Sequence, residues 1–197
     1  MIIGVDFDGT IANTRDAVLH CLGSVARADS EESILKLKSH SSTIEGKSLK
    51  DQLEMILVEL DLDSAKKIFM EMYSTIGISK TSLIDGAKEL FDFCHSSNIP
   101  IYVISAKSEI NLVKSLDFLG LKPSGFVGSL STSGKAREIR RLELRFYLGD
   151  QISDAIAAEI GGASPVLIDL DQKFSGDKFT TVKSLREFIG IISAEVF

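Results

Sequence analysis

Apolar and polar positions along the chain fall into two regimes. The chain opens on Ile2-Ile3-Gly4-Val5, apolar at consecutive positions. Such a run reads as a strand buried on both faces, the pattern of a parallel sheet. From Thr14 to Thr75 the spacing is helical instead. Val18, Leu19, Leu22 and Val25 form one set, and Ile34, Leu35 and Leu37 a second. A third starts near Ser48 with Leu49, Leu53, Ile56, Leu57 and Leu60, and a fourth holds Ala65, Ile68, Phe69, Met72 and Tyr73. Ser48 is a candidate N-cap, as is Asp63 or Ser64. No strand is expected in this stretch.

From Leu83 onward helix and strand alternate. Helices are expected around Ala87–Cys94, Leu112–Leu119, Ala136–Leu142, Ala155–Ile160 and Leu185–Ile192. Strands are expected at Ile99–Ile104, Phe126–Gly128, Arg145–Leu148 and, last, Val166–Ile168. Repeated β-α units imply an α/β fold with a doubly wound, Rossmann-like parallel sheet. The expected organisation is a core from residues 1–14 and 80–197, interrupted by a small helical domain at 15–79.

Composition narrows the setting. Of 197 residues, 44% are hydrophobic and 25% charged, as in ordinary globular domains. A formal net charge of -6 argues against nucleic acid or an anionic membrane as the partner. No apolar run is long enough to span a bilayer. Met1 leads straight into the first strand without a leader-like segment, so a cytoplasmic location is expected. Cys21 and Cys94 form neither a disulfide framework nor a zinc spacing, and both read as buried thiols. His20, His40 and His95 share no spacing with acidic or thiol ligands, which speaks against zinc. Nothing in the pattern specifies an oligomeric state.

The chemistry sits at strand ends. The first strand gives way to Asp6-Phe7-Asp8-Gly9-Thr10. A plain Asp-Gly turn accounts for Asp8-Gly9 but not for Asp6. Two close carboxylates are unfavourable unless something positive compensates them or one takes up a proton, and a hard cation such as Mg²⁺ would compensate them with oxygen ligands. Ser105 and Asp150 end two other apolar strands. In one parallel sheet such ends share an edge, where ligands bind. Asp154 follows Asp150 by four residues, on the same side of a helix start, where a helix dipole also favours an acid. Asp169 and Asp171 follow a strand too, and read as a surface turn.

Asp6-Phe7-Asp8-Gly9-Thr10 resembles the first motif of the haloacid dehalogenase-like hydrolases. Ile101-Tyr102-Val103-Ile104-Ser105 is similar to their second, and Gly149-Asp150-Gln151-Ile152-Ser153-Asp154 to their fourth. The resemblance spans essentially the whole chain. The helical insert resembles the cap of the subgroup that includes phosphoglycolate phosphatase and β-phosphoglucomutase.

The resemblance implies a Mg²⁺-dependent phosphatase acting on a small phosphorylated metabolite. Asp6 would be the nucleophile and form an aspartyl-phosphate. Asp8 would protonate the leaving oxygen and then activate water. The metal would be held by Asp6, the Asp8 backbone carbonyl and Asp150, with Asp154 in support. Ser105 and backbone N–H groups at Ala106 would bind the phosphoryl oxygens. The third motif is a lysine, and Lys107, Lys122 and Lys135 are candidates. Lys135 is favoured because it follows Gly134 and opens a helix before the fourth-motif strand, although Lys122-Pro123 offers the Lys-Pro pair common in capped members. Glu45-Gly46-Lys47-Ser48 resembles the cap loop that reaches the active site, and Lys47 or Arg15 could touch substrate. The resemblance also leaves a phosphomutase open. Leu49 stands where such enzymes often carry Arg, which lowers that reading. A haloacid dehalogenase would need neither Asp8 nor a metal. A non-catalytic phosphate-binding or regulatory protein is the alternative of another class, and no expected acid is missing to favour it.

Overall fold

The structure, a computed structural model, describes residues 1–41, 43–44, 47–170, 174 and 178–196, without the side chain of Val196. The elements in chain order are β1 (Ile3–Val5), β2 (Ala12–Asn13), α1 (Arg15–Asp29), α2 (Glu31–His40), α3 (Leu49–Ile56) and α4 (Leu62–Met72). A π turn (Tyr73–Gly77) and a 3₁₀ turn (Ile78–Lys80) follow. Then come β3 (Ser82–Leu83), α5 (Ala87–Ser96), β4 (Ile101–Ile104), α6 (Glu109–Leu119), β5 (Gly125–Val127) and α7 (Thr132–Arg141). The chain ends with β6 (Phe146–Gly149), α8 (Ile152–Gly161), β7 (Ser164–Ile168), β8 (Thr180–Val182) and α9 (Leu185–Val196).

Two compact units emerge, residues 1–13 with 82–197 and residues 14–81. The first holds a parallel six-stranded sheet in the order β5-β4-β1-β6-β7-β8. Ile3 and Val5 of β1, Ile101 and Val103 of β4, and Phe146 and Leu148 of β6 join one core with Leu90 of α5 and Phe188 of α9. Tyr147 and Ile104 face the other layer, with Ala136 and Ile139 of α7 and Ala157 and Ala158 of α8. Both faces of the central strands are therefore covered, which is why they read as continuous apolar runs. β8 is a sixth strand not expected from the sequence. Its two exposed threonines and one buried valine give it no apolar run to read. The β2–β3 ribbon was equally illegible, being two residues per strand; it pairs Asn13 with Ser82, where the chain leaves and re-enters this unit.

The second unit consists of helices and their connections, with no strand among its described residues. Cys21, Leu22 and Val25 of α1, Leu53 and Ile56 of α3, and Ala65 and Phe69 of α4 form its core. Ser48 caps α3 as expected. α4, however, is capped by Asp61, whose carboxylate accepts from the N–H groups of Asp63 and Ser64. A cap must precede the helix, and α4 starts a residue or two earlier than the apolar spacing indicated. Both cysteines are buried and neither is in a disulfide. No described helix is long and apolar enough to cross a membrane.

One polar contact organises the helical unit. Asp29 ends α1, where the helix dipole disfavours an acid. Its Oδ2 accepts from Val58 N at 3.0 Å and its Oδ1 from Glu59 N at 3.0 Å, with Leu60 N and the Ser33 hydroxyl as further donors. Burial opposes its charge, but the Ser33 hydroxyl and these three N–H groups outweigh it and hold the carboxyl down at about 2. The contribution to stability is present above the unfolded carboxyl value of about 4 and is lost as pH falls towards 2. Asp29→Ala leaves three part-buried N–H groups without their acceptor and is expected to cost about 1–3 kcal/mol. Urea unfolding at pH 7 and pH 3 checks this. The wild type should lose stability between the two pH values, and the variant should lose less.

Candidate active site

The strand order fixes where a site can form. From β1 the sheet grows through β4 to β5 on one side and through β6 to β8 on the other. β1 is therefore the switch point, and the crevice lies beyond the carboxyl ends of β1, β4 and β6. Asp6 and Asp8 follow β1, Ser105 follows β4, and Asp150 follows β6. The turn after β1 is closed by Ala12 N–H to Phe7 O at 3.0 Å. Gly9 sits in it at a φ of 76°, and a Cβ there would lie 2.3 Å from Asp150 Oδ2. Only glycine lets this turn approach Asp150.

Lys135, from the first turn of α7, is the cation at the centre. Its Nζ donates to Asp154 Oδ1 at 2.7 Å and lies 3.0 Å from Asp6 Oδ1. All three side chains are buried. Burial opposes the lysine's charge, but Asp6, Tyr147 and Asp154 outweigh it and hold its pKa well above the usual range. Asp154 is the third residue of α8, and its Oδ2 accepts from Gln151 N at 3.2 Å. It thus caps a helix and anchors the lysine together. Gln151 Nε2 donates to Asp150 Oδ2 at 2.8 Å, and Thr10 Oγ1 to Asp150 Oδ1 at 3.5 Å. Tyr147 stands beneath Lys135, with Nζ 6.0 Å from its ring and its hydroxyl donating to Ile104 O at 2.7 Å.

Asp6, Asp150 and Asp154 each present a carboxylate oxygen within 4.8 Å of the others. Asp6 Oδ1 is buried and accepts no aligned hydrogen bond, although Lys135 Nζ lies 3.0 Å away. Burial pushes the Asp6 carboxyl up to about 7, against the pull of Lys135 and with Asp154, Asp150 and Asp8 adding to the rise. Burial likewise pushes Asp150 up to about 6, offset by its hydrogen bond from Gln151. A set of hard oxygen donors, one without a donor directed at it, fits a divalent cation, which would favour the ionised carboxylates. The Asp8 side chain stands outside this trio.

The remaining expected residues divide clearly. Ser105 is buried, and its Oγ accepts from Lys107 N at 3.3 Å, which leaves its own proton to donate. Ala106 is exposed at the strand end. Of the three candidate lysines, Lys135 and Lys107 lie at this edge. Lys122 precedes β5 at the opposite edge, where its carbonyl contacts His95 Nε2 at 2.8 Å. Its Lys-Pro sequence lies in the connection between α6 and β5 rather than at a helix start. Asp169 is buried rather than on the surface, and accepts from Phe174 N at 3.1 Å. Asp171, Glu45 and Gly46 lie outside the described residues. Lys47 and Arg15 are exposed in the helical unit. His20, His40 and His95 join no metal-binding group among the described residues. The sequence reading missed Thr10, Gln151 and Tyr147, and the partner of Lys107. A hydroxyl next to a motif acid and an amide next to Asp150 were the available signals.

A sequence model for haloacid dehalogenase-like hydrolases matches residues 3–125. The chain belongs to the haloacid dehalogenase-like hydrolase family. Solved structures agree on the fold. A haloacid dehalogenase-like hydrolase from Streptococcus pneumoniae superposes with a TM-score of 0.74 at 15% identity, covering 96% of this chain and 97% of that one. A predicted phosphoglycolate phosphatase from Haemophilus somnus gives 0.72 at 17% identity, covering 97% of each chain. CbbY from Rhodobacter sphaeroides, in complex with phosphate, gives 0.72 at 16% identity over 95% of this chain and 96% of that one. No curated protein is similar enough to count as a relative.

Lys135→Met would leave Asp6 and Asp154 buried without their cation. Loss of about 3–5 kcal/mol is expected in metal-free urea unfolding. An unchanged midpoint would mean that the pair contributes nothing to the folded state.

Proposed function

We propose that the protein is a Mg²⁺-dependent phosphatase that hydrolyses a small phosphorylated metabolite through an aspartyl-phosphate. The observation that carries this reading is the grouping of Asp6 with Lys135, Asp150 and Asp154 at the sheet's switch point, flanked by Ser105 and Asp8. Family membership supports hydrolysis, and the phosphate bound to CbbY supports a phosphoryl ligand for the fold.

In the first half-reaction an Asp6 oxygen attacks phosphorus, the P–O ester bond breaks, and Asp8 delivers a proton to the departing oxygen. In the second, water attacks the phosphorus of the aspartyl-phosphate, Asp8 takes its proton, and Asp6 is restored as inorganic phosphate leaves. Lys135 reduces the repulsion between Asp6 and the incoming phosphate, and the Ser105 hydroxyl with N–H groups at Ala106 receives the phosphoryl oxygens. Mg²⁺ would be held by Asp6, the Asp8 backbone carbonyl and Asp150, with Asp154 in support, and would supply further positive charge against that repulsion. The helical unit lies in sequence between the first strand and the rest of the sheet, the position of a substrate-selecting cap. A mutase would share Asp6 and Asp8, but the residue heading α3 is Leu49, which packs on the helical unit's own core.

Asp6→Asn should lower turnover of p-nitrophenyl phosphate roughly 10³-fold or more while the circular dichroism spectrum is kept. Chelation by EDTA should abolish wild-type turnover, and added Mg²⁺ should restore it. Retained activity in Asp6→Asn would remove Asp6 as nucleophile. Product formation that depends on a sugar bisphosphate would instead mark a mutase.

A further inference from the structure

Lys107 has no role in the reaction just described, yet it is one of the most constrained cations in the protein. Its side chain is only 8% exposed, and Nζ donates to Asp8 Oδ1 at 2.9 Å. The ammonium sits 5.4 Å from the centre of the Phe7 ring, a cation–π contact with the residue between the two motif acids. Its backbone is fixed at both ends: its N–H donates to Ser105 Oγ, and its carbonyl accepts from Ser129 N at 2.7 Å. Asp8 is the opposite case. Its side chain is 37% exposed, and Lys107 is the one ion-pair partner of its carboxylate among the described residues. Lys135 is committed elsewhere, to Asp6 and Asp154. A half-exposed carboxylate next to Asp6 would otherwise turn away from a like charge.

We propose that Lys107 is a positioning residue for proton transfer: it ties Asp8 through Oδ1 and thereby presents Oδ2 to the leaving oxygen. This rests on the phosphatase reading above, in which Asp8 is the proton carrier. The step affected is the first half-reaction. There the ester P–O bond breaks, the bond from Asp6 to phosphorus forms, and one proton passes from Asp8 Oδ2 to the departing oxygen. A misplaced acid slows that step in proportion to how much the leaving oxygen needs the proton. An alkoxide needs it, whereas p-nitrophenolate departs without it.

The test compares kcat/KM for an alkyl phosphate, such as glycerol phosphate, and for p-nitrophenyl phosphate in wild type, Lys107→Met and Lys107→Arg. kcat/KM reports steps through the first irreversible one, so slow hydrolysis of the aspartyl-phosphate does not mask the effect. Lys107→Met should lose on the order of 10²-fold with the alkyl ester and under about 10-fold with the aryl ester. Lys107→Arg, which keeps a charged donor, should recover most of the difference. Equal losses on both esters would overturn the inference and make Lys107 a phosphate-binding or structural group; no loss on either would also overturn it. If Lys107→Met does not fold, as judged by circular dichroism, Lys107→Gln replaces it under the same criteria. A wild type that turns over neither ester defeats the phosphatase reading itself. A wild type that turns over both, with a ratio unchanged in the variants, defeats only the role of Lys107.

Discussion

Four carboxylates gathered at one edge of a sheet repel one another, and the two lysines among them are what lets that edge exist. Asp6 and Asp154 share Lys135, and Asp8 is paired with Lys107. Asp150 has neither, and is held by Gln151 and Thr10 instead. Four negative charges against two positive ones leave the ionised site two short of balance. Burial raises Asp6 and Asp150 towards neutrality, which lessens the shortfall. A divalent cation would meet it by another route, with both groups ionised.

The fold serves this constraint. β1 lies between β4 and β6, so the three strand ends that carry acids and Ser105 are neighbours without any long loop reaching across. α7 and α8 pack together on one face with Tyr147. That packing places Lys135, from the start of α7, against Asp154, from the start of α8. Lys135 is held there by Asp6 and Asp154, above a Tyr147 ring whose hydroxyl donates to Ile104 O.

Much of this was legible in the sequence, for identifiable reasons. β1, β4 and β6 are buried on both faces, so their runs were unbroken and their polar ends conspicuous. Asp6, Ser105, Asp150 and Asp154 stood out for that reason, and the structure brings them to one edge. β8 was hidden because an edge strand with exposed threonines carries no run. The choice between Lys122 and Lys135 turned on local sequence, which does not show that Lys135 lies beside Asp6 while Lys122 precedes β5 at the other end of the sheet. The pairing of Lys107 with Asp8 spans 99 positions and follows from the close approach of the turns after β1 and β4, which no local pattern encodes. Asp29 was invisible for a similar reason, since its acceptors' partners are backbone groups of a distant turn.

In the proposed reaction Asp6 itself receives the phosphoryl group, while the surrounding charges only make that possible. Two in-line displacements, first by Asp6 and then by water, each invert phosphorus. The stereochemical course with an isotopically chiral phosphorothioate monoester, hydrolysed in isotopically labelled water, tests this. Net retention of configuration is the predicted result. Net inversion would mean that water attacks the substrate in a single step, and would contradict the account.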